Sequence, residues 1–391
     1  MSTLKVNTIL SETPTVNITD GLNVTGVSTV ANITATTITS TNIVNATQLS
    51  HRNIVINGAM MVAQRGTSST SSGYQTVDRQ NAYSSGTDET PTQAQVDVSS
   101  GTDPYNEGFR KALKFTNGNQ TSGAQAGSRV LPQYKFEGQD LVNSGWNHTS
   151  SSSYITIQFW VRSSIAQTYY GYLRSQDGTN QIYTYSVALS ANTWTKVTKT
   201  IPGNSNIQID NDNGEGIQWN ILIPFIGTSY TDNSVSLNQW NTYAGGTRTP
   251  DNTSTWYTTN DATFELTGLQ LEVGSVATPF EHKTYAQELN ACMRYYEGVY
   301  MGQGTALFRT YTNTAGSPSN CSNVDYNFKV EKRAQPTWAV EGNAQWAPAN
   351  STTAMSAYPS KSTCLFQRND TSHQFLSDAN GDLCGSFSAE L

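Results

Sequence analysis

Residues 264–296, FELTGLQLEVGSVATPFEHKTYAQELNACMRYY, decide the fold of this chain. Phe264 and Leu266 share one face of an extended run, and Leu269, Leu271 and Val273 alternate in the opposite phase. The phase changes at Gly268, where a β-bulge inserting one extra residue is expected. A Pro-Phe pair at Pro279 and Phe280 reads as a seal. Beyond it, Leu289, Cys292, Met293 and Tyr296 recur at helical spacing, so residues 281–296 form the one good helix candidate, its stripe facing a neighbouring subunit. The stretch is scaffolding: a closing strand, a seal and a connector.

Residues 51–283 carry half-buried strands. Ile155, Ile157, Phe159 and Val161 share one face, with Thr156, Gln158, Trp160 and Arg162 opposite. Ile217, Trp219, Ile221, Ile223 and Phe225 form a second alternating run, weakened at Pro224. Turns rich in Asn, Asp and Gly separate such runs, at Asp177-Gly178, residues 211–214 and residues 244–246. With no helical period between them, the runs argue for an antiparallel sandwich.

Residues 1–50 differ. They lack Phe, Tyr and Trp, carry charge only at Lys5, Glu12 and Asp20, and are nearly half Ser, Thr or Asn. VNITDG, LNVTG, VANITATTI and NIVNATQL read as degenerate copies of one short repeat. One thin strand cannot bury an apolar face alone. Three copies around a threefold axis could share a narrow core, and the other reading is a disordered polar linker. Residues 300–391 return to β patterning in ALFRTYTN, NVDYNFKVE, STTAMSAY and CLFQRND. The expected class is all-β, in four parts. These are an N-terminal β-rich trimeric shaft (1–50), an antiparallel jelly-roll-like β-sandwich (51–283), a short linking helix (284–299) and a small C-terminal β domain (300–391).

Composition excludes several functions. Charged residues are 13% of 391 and the net charge is −7, so no basic footprint for nucleic acid exists. No apolar run approaches the ~20 residues a membrane span needs. The first residues show neither a charged nor an apolar signal region, which points to release by host lysis. Cys292, Cys321, Cys364 and Cys384 form no C-x-x-C pair and read as reduced thiols. DNDNGEG (residues 210–216) alternates carboxylates as calcium loops do, but lacks the bidentate Glu and reads as a turn. His51, His148, His282 and His373 are too scattered for a triad or a metal cluster. No enzyme signature, metal or cofactor is expected. Glycan hydrolysis would need two carboxylates about 5–10 Å apart, which sequence can neither supply nor exclude.

Four runs carry a resemblance: NIVINGAMMVAQRG (residues 53–66), YQTVDR (74–79), ITIQFWVRSS (155–164) and the opening stretch. Together they resemble a domain of tailed-bacteriophage tail fibre proteins. In that family a carbohydrate-binding-like β-sandwich opens with N-G-x-x-x-x-x-Q-R-G and closes with Q-L-E-x-G-x-x-A-T-P-F-E. The matching residues here are Asn57, Gly58, Gln64, Arg65 and Gly66, then Gln270, Leu271, Glu272 and the run Ala277, Thr278, Pro279, Phe280, Glu281. Asp78 and Arg79 also match, and Gln80 stands where the family has Trp. FKVEKRAQPTW (328–338) echoes phage receptor-binding tips, and the N-terminal repeats resemble those in structural proteins of cyanobacterial phages. The motif residues are expected to be structural: Asn57-Gly58 a tight turn, Gln64-Arg65-Gly66 a strand exit, and Arg65 and Glu272 either paired or bonded to backbone.

The resemblance implies a non-enzymatic homotrimeric adhesin of the virion. It would attach to tail or adaptor proteins through its N-terminus and bind a host surface polysaccharide such as lipopolysaccharide. The alternatives are a purely structural virion protein (head fibre, collar or baseplate) and, third, a glycan depolymerase. Sugars need aromatic faces for stacking and polar groups for hydroxyls, and the chain has 8 Trp and 20 Tyr. Candidates near turns are Trp146, Tyr169, Tyr170, Tyr172, Trp240, Tyr243 and Trp256, and further along Trp338, Trp346, Tyr358 and Phe366. Each has a packing alternative. Trp160, Trp194 and Trp219 sit within strands and read as packing.

Overall fold

A computed structural model describes residues 51–300, 306–309, 322–341, 345–347, 356–368, 374–376 and 383–391, all within one compact unit. The expected shaft over residues 1–50, and Cys321, lie outside the described residues. The strands are β1 Ser68–Ser69, β2 Asn81–Ser85, β3 Thr92–Asp97, β4 Lys111–Thr116, β5 Arg129–Glu137, β6 Tyr154–Ser163 and β7 Gln167–Ser175. Then come β8 Gln181–Leu189, β9 Thr195–Pro202, β10 Glu215–Ile223, β11 Phe225–Ile226, β12 Trp240–Thr242 and β13 Thr263–Val273. They build two antiparallel sheets, β1-β3-β4-β13-β6-β9 and β11-β5-β10-β7-β8-β12, with β2 also on β5. The all-β sandwich expected from the turn spacing is the observed fold.

The core lies between these sheets because strand alternation turns every second apolar residue inward. Ile155, Ile157, Phe159 and Val161 of β6 meet Ile217, Trp219 and Ile221 of β10, each at most 1% exposed. Each such side chain contributes about 1.5–3 kcal/mol by leaving water. Trp160, on the other face of β6, joins a second small core with Ala59, Val98, Phe109 and Ala112. One expectation for β10 is corrected: its register on β7 shifts between Asn220 and Ile223, so Ile223 faces the opposite cluster with Tyr172. The strand ends there, before Pro224, which has no N–H for a ladder.

β13 contains the expected bulge. Its register on β6 shifts between Thr267 and Gln270, and Gly268 has φ +66°. The extra residue returns Leu266, Leu269 and Leu271 to one core at 0% exposure. Beyond the bulge, residues 53–58 run alongside β13: Ile54 N–H donates to the Leu271 carbonyl (3.0 Å), and Leu269 N–H to that of Gly58 (2.9 Å). A Cβ on Gly58 would lie 2.1 Å from the Leu269 oxygen, so only glycine fits. Gln270 and Glu272 hold the seal in place. Thr278 donates to Glu272 through N–H (2.8 Å) and hydroxyl (2.6 Å), and Glu281 N–H donates to Gln270 (2.8 Å). Phe280 then meets Phe109 edge-on at 4.7 Å.

The short helices are α1 Asp103–Asn106, α2 Gly138–Val142, α3 Thr255–Thr258 and α4 Tyr285–Met293. A capping box between Thr284 and Gln287 starts α4. Tyr296 opens a strand instead, and Cys292, Met293 and Tyr296 are buried within this chain, so they face no neighbouring subunit. No helix among the described residues is long and apolar enough to cross a membrane.

The remaining strands are β14 Tyr296–Tyr300, β15 Ala306–Arg309, β16 Ser322–Asn327, β17 Thr337–Val340, β18 Gln345–Ala347, β19 Ser356–Pro359, β20 Thr363–Arg368, β21 Gln374–Leu376 and β22 Leu383–Ser388. They form three small sheets, β14-β22-β17, β15-β21-β18 and β16-β20-β19. Val299, Cys364, Phe366 and Phe387 make a core between the first and third of these sheets, with Trp338 packed beside them.

The motif residues converge where these sheets meet the sandwich. Asn57, at φ +59°, donates from its side chain to the Val62 and Asp78 carbonyls and receives the Val62 N–H. Its own N–H donates to the buried Glu288 (2.7 Å). Gln64 bonds Asp78 (2.6 Å) and the Tyr296 carbonyl (2.8 Å). Arg65 pairs with Glu390 (3.1 Å) and lies 3.6 Å over the Tyr296 ring; it does not pair with Glu272. Gly66, at φ +129°, follows as the chain turns away. Arg333, from the run that echoes receptor-binding tips, reaches the carbonyls of Asn213 (2.7 Å), Ala389 (2.9 Å) and Glu390 (3.1 Å). The DNDNGEG run is thus a turn that docks Arg333, and Asp212 closes it on the Gly214 N–H (2.8 Å).

Gln80 is 1% exposed, and neither side-chain polar atom has a partner among the described residues. Leaving such groups buried and unbonded costs about 1–3 kcal/mol. Gln80→Met keeps the length, removes both groups and is expected to stabilise by that order; an unchanged or lower urea midpoint would count against it. Asp78 is pushed up from 3.8 to about 6, because burial outweighs Arg65 and the Gln64 bonds. A carboxyl raised in the folded state favours folding below its unfolded value and loses that advantage as pH rises through about 6. Relative to Asp78→Asn, the wild type should therefore lose about 2 kcal/mol between pH 4 and pH 6.5, at up to about 1.4 kcal/mol per unit. Denaturation of both proteins across that window checks it, and parallel curves would sink it.

Candidate carbohydrate-binding face

The face of the seven-stranded sheet turned away from the core collects polar and aromatic side chains in register. One row runs Asn81, Gln133, Asn220, Tyr172, Thr184 across β2, β5, β10, β7 and β8. Asn81 donates to Gln133 (3.2 Å) and Gln133 to Asn220 (2.9 Å), a chain of amides across three strands. The next row is Lys135, Gln218, Arg174, Ile182. Tyr170, half-buried, stands opposite Ser186 on the same face.

Residues 227–250 fold back over these rows. Thr184 donates to the Arg248 carbonyl (2.8 Å), while Tyr243 N–H donates to the Asn180 carbonyl and Arg248 N–H to that of Tyr230 (both 2.9 Å). This brings Tyr230 and Tyr243 beside Tyr83 over Leu131, Tyr172, Ile182 and Ile223. Guanidiniums alternate with the rings. Arg129 lies 5.1 Å from the Tyr83 centroid and 4.4 Å from that of Tyr230; Arg248 is 4.6 Å from Tyr230 and 5.7 Å from Tyr243. Arg174 sits 3.7 Å over Tyr243. Burial raises the Tyr172 hydroxyl above its usual range, with Arg248 and Arg174 pulling the other way. Rings, amides and fixed N–H donors on one face are the groups that sugars require.

Of the sequence candidates, Tyr172 and Tyr243 come together here, with Tyr172 1% exposed as the floor, while Tyr170 shares the sheet face but stands outside that cluster. Trp146, Tyr169 and Trp256 are core rings at 3%, 0% and 0% exposure, with no face open to a ligand, and they are withdrawn as candidates. Trp240 meets Tyr183 edge-on (5.5 Å) and donates to the Pro202 carbonyl (2.7 Å). Trp338 packs on Phe366 (5.1 Å) and Phe387 (4.6 Å), and Phe366 itself is buried. Tyr358 is 56% exposed on β19, apart from this face, and the Trp346 side chain lies outside the described residues. Sequence reasoning missed Tyr83, Tyr230, Arg129, Arg174 and Arg248. Alternation along β7 marks Arg174 as a companion of Tyr170 and Tyr172, but nothing local ties it to Tyr243. On the other sheet, a cleft of about 550 Å³ beside Phe280 holds Lys196, already paired with Glu107 (2.9 Å).

The fold places this chain in the class of two-sheet antiparallel β-sandwiches. No known protein family matches the sequence, and no curated protein does. Solved structures resemble it at low levels, three of them as follows. The enzymatically active domain of tailspike protein 4 of bacteriophage CBA120 is 8% identical with TM-score 0.29, over 57% of this chain and 21% of that one. This chain therefore spans about a fifth of that protein. A family 16 carbohydrate-binding module is 11% identical with TM-score 0.23, over 46% and 84%. The tripod from the baseplate of bacteriophage Tuc2009 is 11% identical with TM-score 0.25, over 87% and 90%.

Proposed function

We propose that this chain is a non-enzymatic adhesin of a tailed-phage virion that binds host surface polysaccharide through the roofed face of its seven-stranded sheet. The observation that supports the binding role is the assembly of Tyr83, Tyr230 and Tyr243 with in-register amides and stacked arginines. The virion assignment rests on the tail-fibre motifs quoted above, and the trimer on the aromatic-free repeats of residues 1–50. Trimeric display would multiply weak sites, since avidity can exceed single-site affinity by about 10²–10⁴.

Purified protein should retain host lipopolysaccharide in affinity electrophoresis without releasing reducing ends. Tyr243→Ala removes one stacking face and should weaken retention about tenfold, the equivalent of about 1.4 kcal/mol. Equal retention by wild type and variant would remove this face from the proposal. Release of oligosaccharides would replace an adhesin with a depolymerase.

A further inference from the structure

We infer that the polysaccharide taken by this face is acidic, its sugar units carrying carboxylate or phosphate groups; this rests on reading the face as a glycan site. The chain carries net charge −7, yet Arg129, Arg174 and Arg248 gather over one sheet face. Among the described residues none of the three forms an ion pair, whereas the buried or half-buried Arg65, Arg79, Arg162 and Arg294 each meet a carboxylate. The acceptors they do meet are neutral. Arg129 donates to the Tyr83 hydroxyl (3.0 Å), Arg248 to the Gly245 carbonyl (3.1 Å), and Arg174 to the Asn180 amide oxygen through both Nη2 (2.6 Å) and Nε (3.2 Å), the amide orientation assigned from its bonding partners.

Each guanidinium has five N–H donors in one plane, so stacking on a ring leaves the edge donors not used in these bonds, such as those of Arg174 Nη1, available to in-plane acceptors. Carboxylate and phosphate match the edge with two parallel charge-assisted bonds, roughly twice as strong as neutral ones. A neutral sugar offers hydroxyls alone and leaves three clustered positive charges uncompensated. The tyrosines fix the guanidiniums in place, which lowers the ordering cost of binding.

The test uses the full chain with three polymers: alginate for carboxylate, a phosphomannan for phosphate and dextran as the neutral reference. Binding to at least one acidic polymer should be about tenfold or more tighter than to dextran. That gap should shrink in about 1 M salt, where the screening length falls to about 3 Å. Arg174→Gln with Arg248→Gln should remove the gap, whereas Arg110→Gln, stacked on Tyr105 elsewhere, should not change it. The paired Lys substitutions keep the charge and should retain part of the preference, which separates lost charge from lost folding. If dextran binds as tightly as the acidic polymers, and Tyr243→Ala but not the Arg substitutions weakens it, the glycan site stands and its acidity falls. Binding to none of the three overturns both. Retention of alginate but not phosphomannan, or the reverse, identifies the acidic group.

Discussion

Glu297→Ala is expected to destabilise the protein by about 3–5 kcal/mol, the usual cost of stripping one partner from a buried ion pair. Lys332 Nζ lies 2.5 Å from Glu297 Oε2, and both side chains are 0% exposed. Lys332 also donates to the Met293 carbonyl at the end of α4 (2.6 Å), while Glu297 receives the Tyr326 hydroxyl (2.9 Å). Burial pulls the Lys332 ammonium below its usual value even with the carboxylate present. Without Glu297 the amine must either stay charged in an apolar site or lose its proton there. Glu297→Leu combined with Lys332→Met removes both charges together, and such replacements are often neutral or stabilising by about 1–4 kcal/mol. Urea unfolding of the three proteins checks the pattern. A single variant within about 1 kcal/mol of wild type would mean that the pair is open to water, as exposed pairs are.

Arg79→Ala is expected to cost a similar amount, about 3–5 kcal/mol, and Arg79→Lys to recover little of it. The Arg79 side chain is 1% exposed and pairs with Glu390 at 2.7 Å. Its second nitrogen donates to the Lys135 carbonyl (2.6 Å), and the guanidinium plane lies 3.5 Å from the Tyr295 centroid. An ammonium is a point donor and cannot serve all three at once. Because Glu390 belongs to the C-terminal segment and Lys135 to β5, the lost contact lies between the sandwich and the strands after α4. Limited proteolysis should therefore cut the Arg79→Ala protein after residue 296 first, leaving the sandwich intact. Simultaneous loss of both parts would contradict this.

Much of the fold was legible because strand periodicity is local. Alternation assigned the inward face of β6, and the phase change at Gly268 located the bulge before any partner strand was known. The same reasoning failed at Ile223, where a register shift set by β7 overrides the pattern of β10. It failed again for α4, whose buried residues meet their own chain. Among the aromatic candidates, Trp256 and Tyr169 looked like loop residues next to turns, but each sits where two sheets close over it. A single strand reveals whether a ring points up or down, and not what lies above it.

The candidate site was less legible for the same reason. Tyr170, Tyr172 and Tyr243 could be named from composition and turns, but the alternation of Tyr83, Arg129, Tyr230, Arg248, Tyr243 and Arg174 joins four separate stretches of chain. The β class, the Gly268 bulge and the Pro279-Phe280 seal were readable from local sequence, since these follow from side-chain period, glycine's freedom at positive φ and proline's missing donor. Tertiary contacts alone reveal that Arg65 and Arg79 meet Glu390, that Lys332 meets Glu297, and that three arginines stack without a carboxylate among the described residues. Those pairings depend on contacts between residues tens to hundreds of positions apart, and a charge carries no local mark of the partner that will neutralise it.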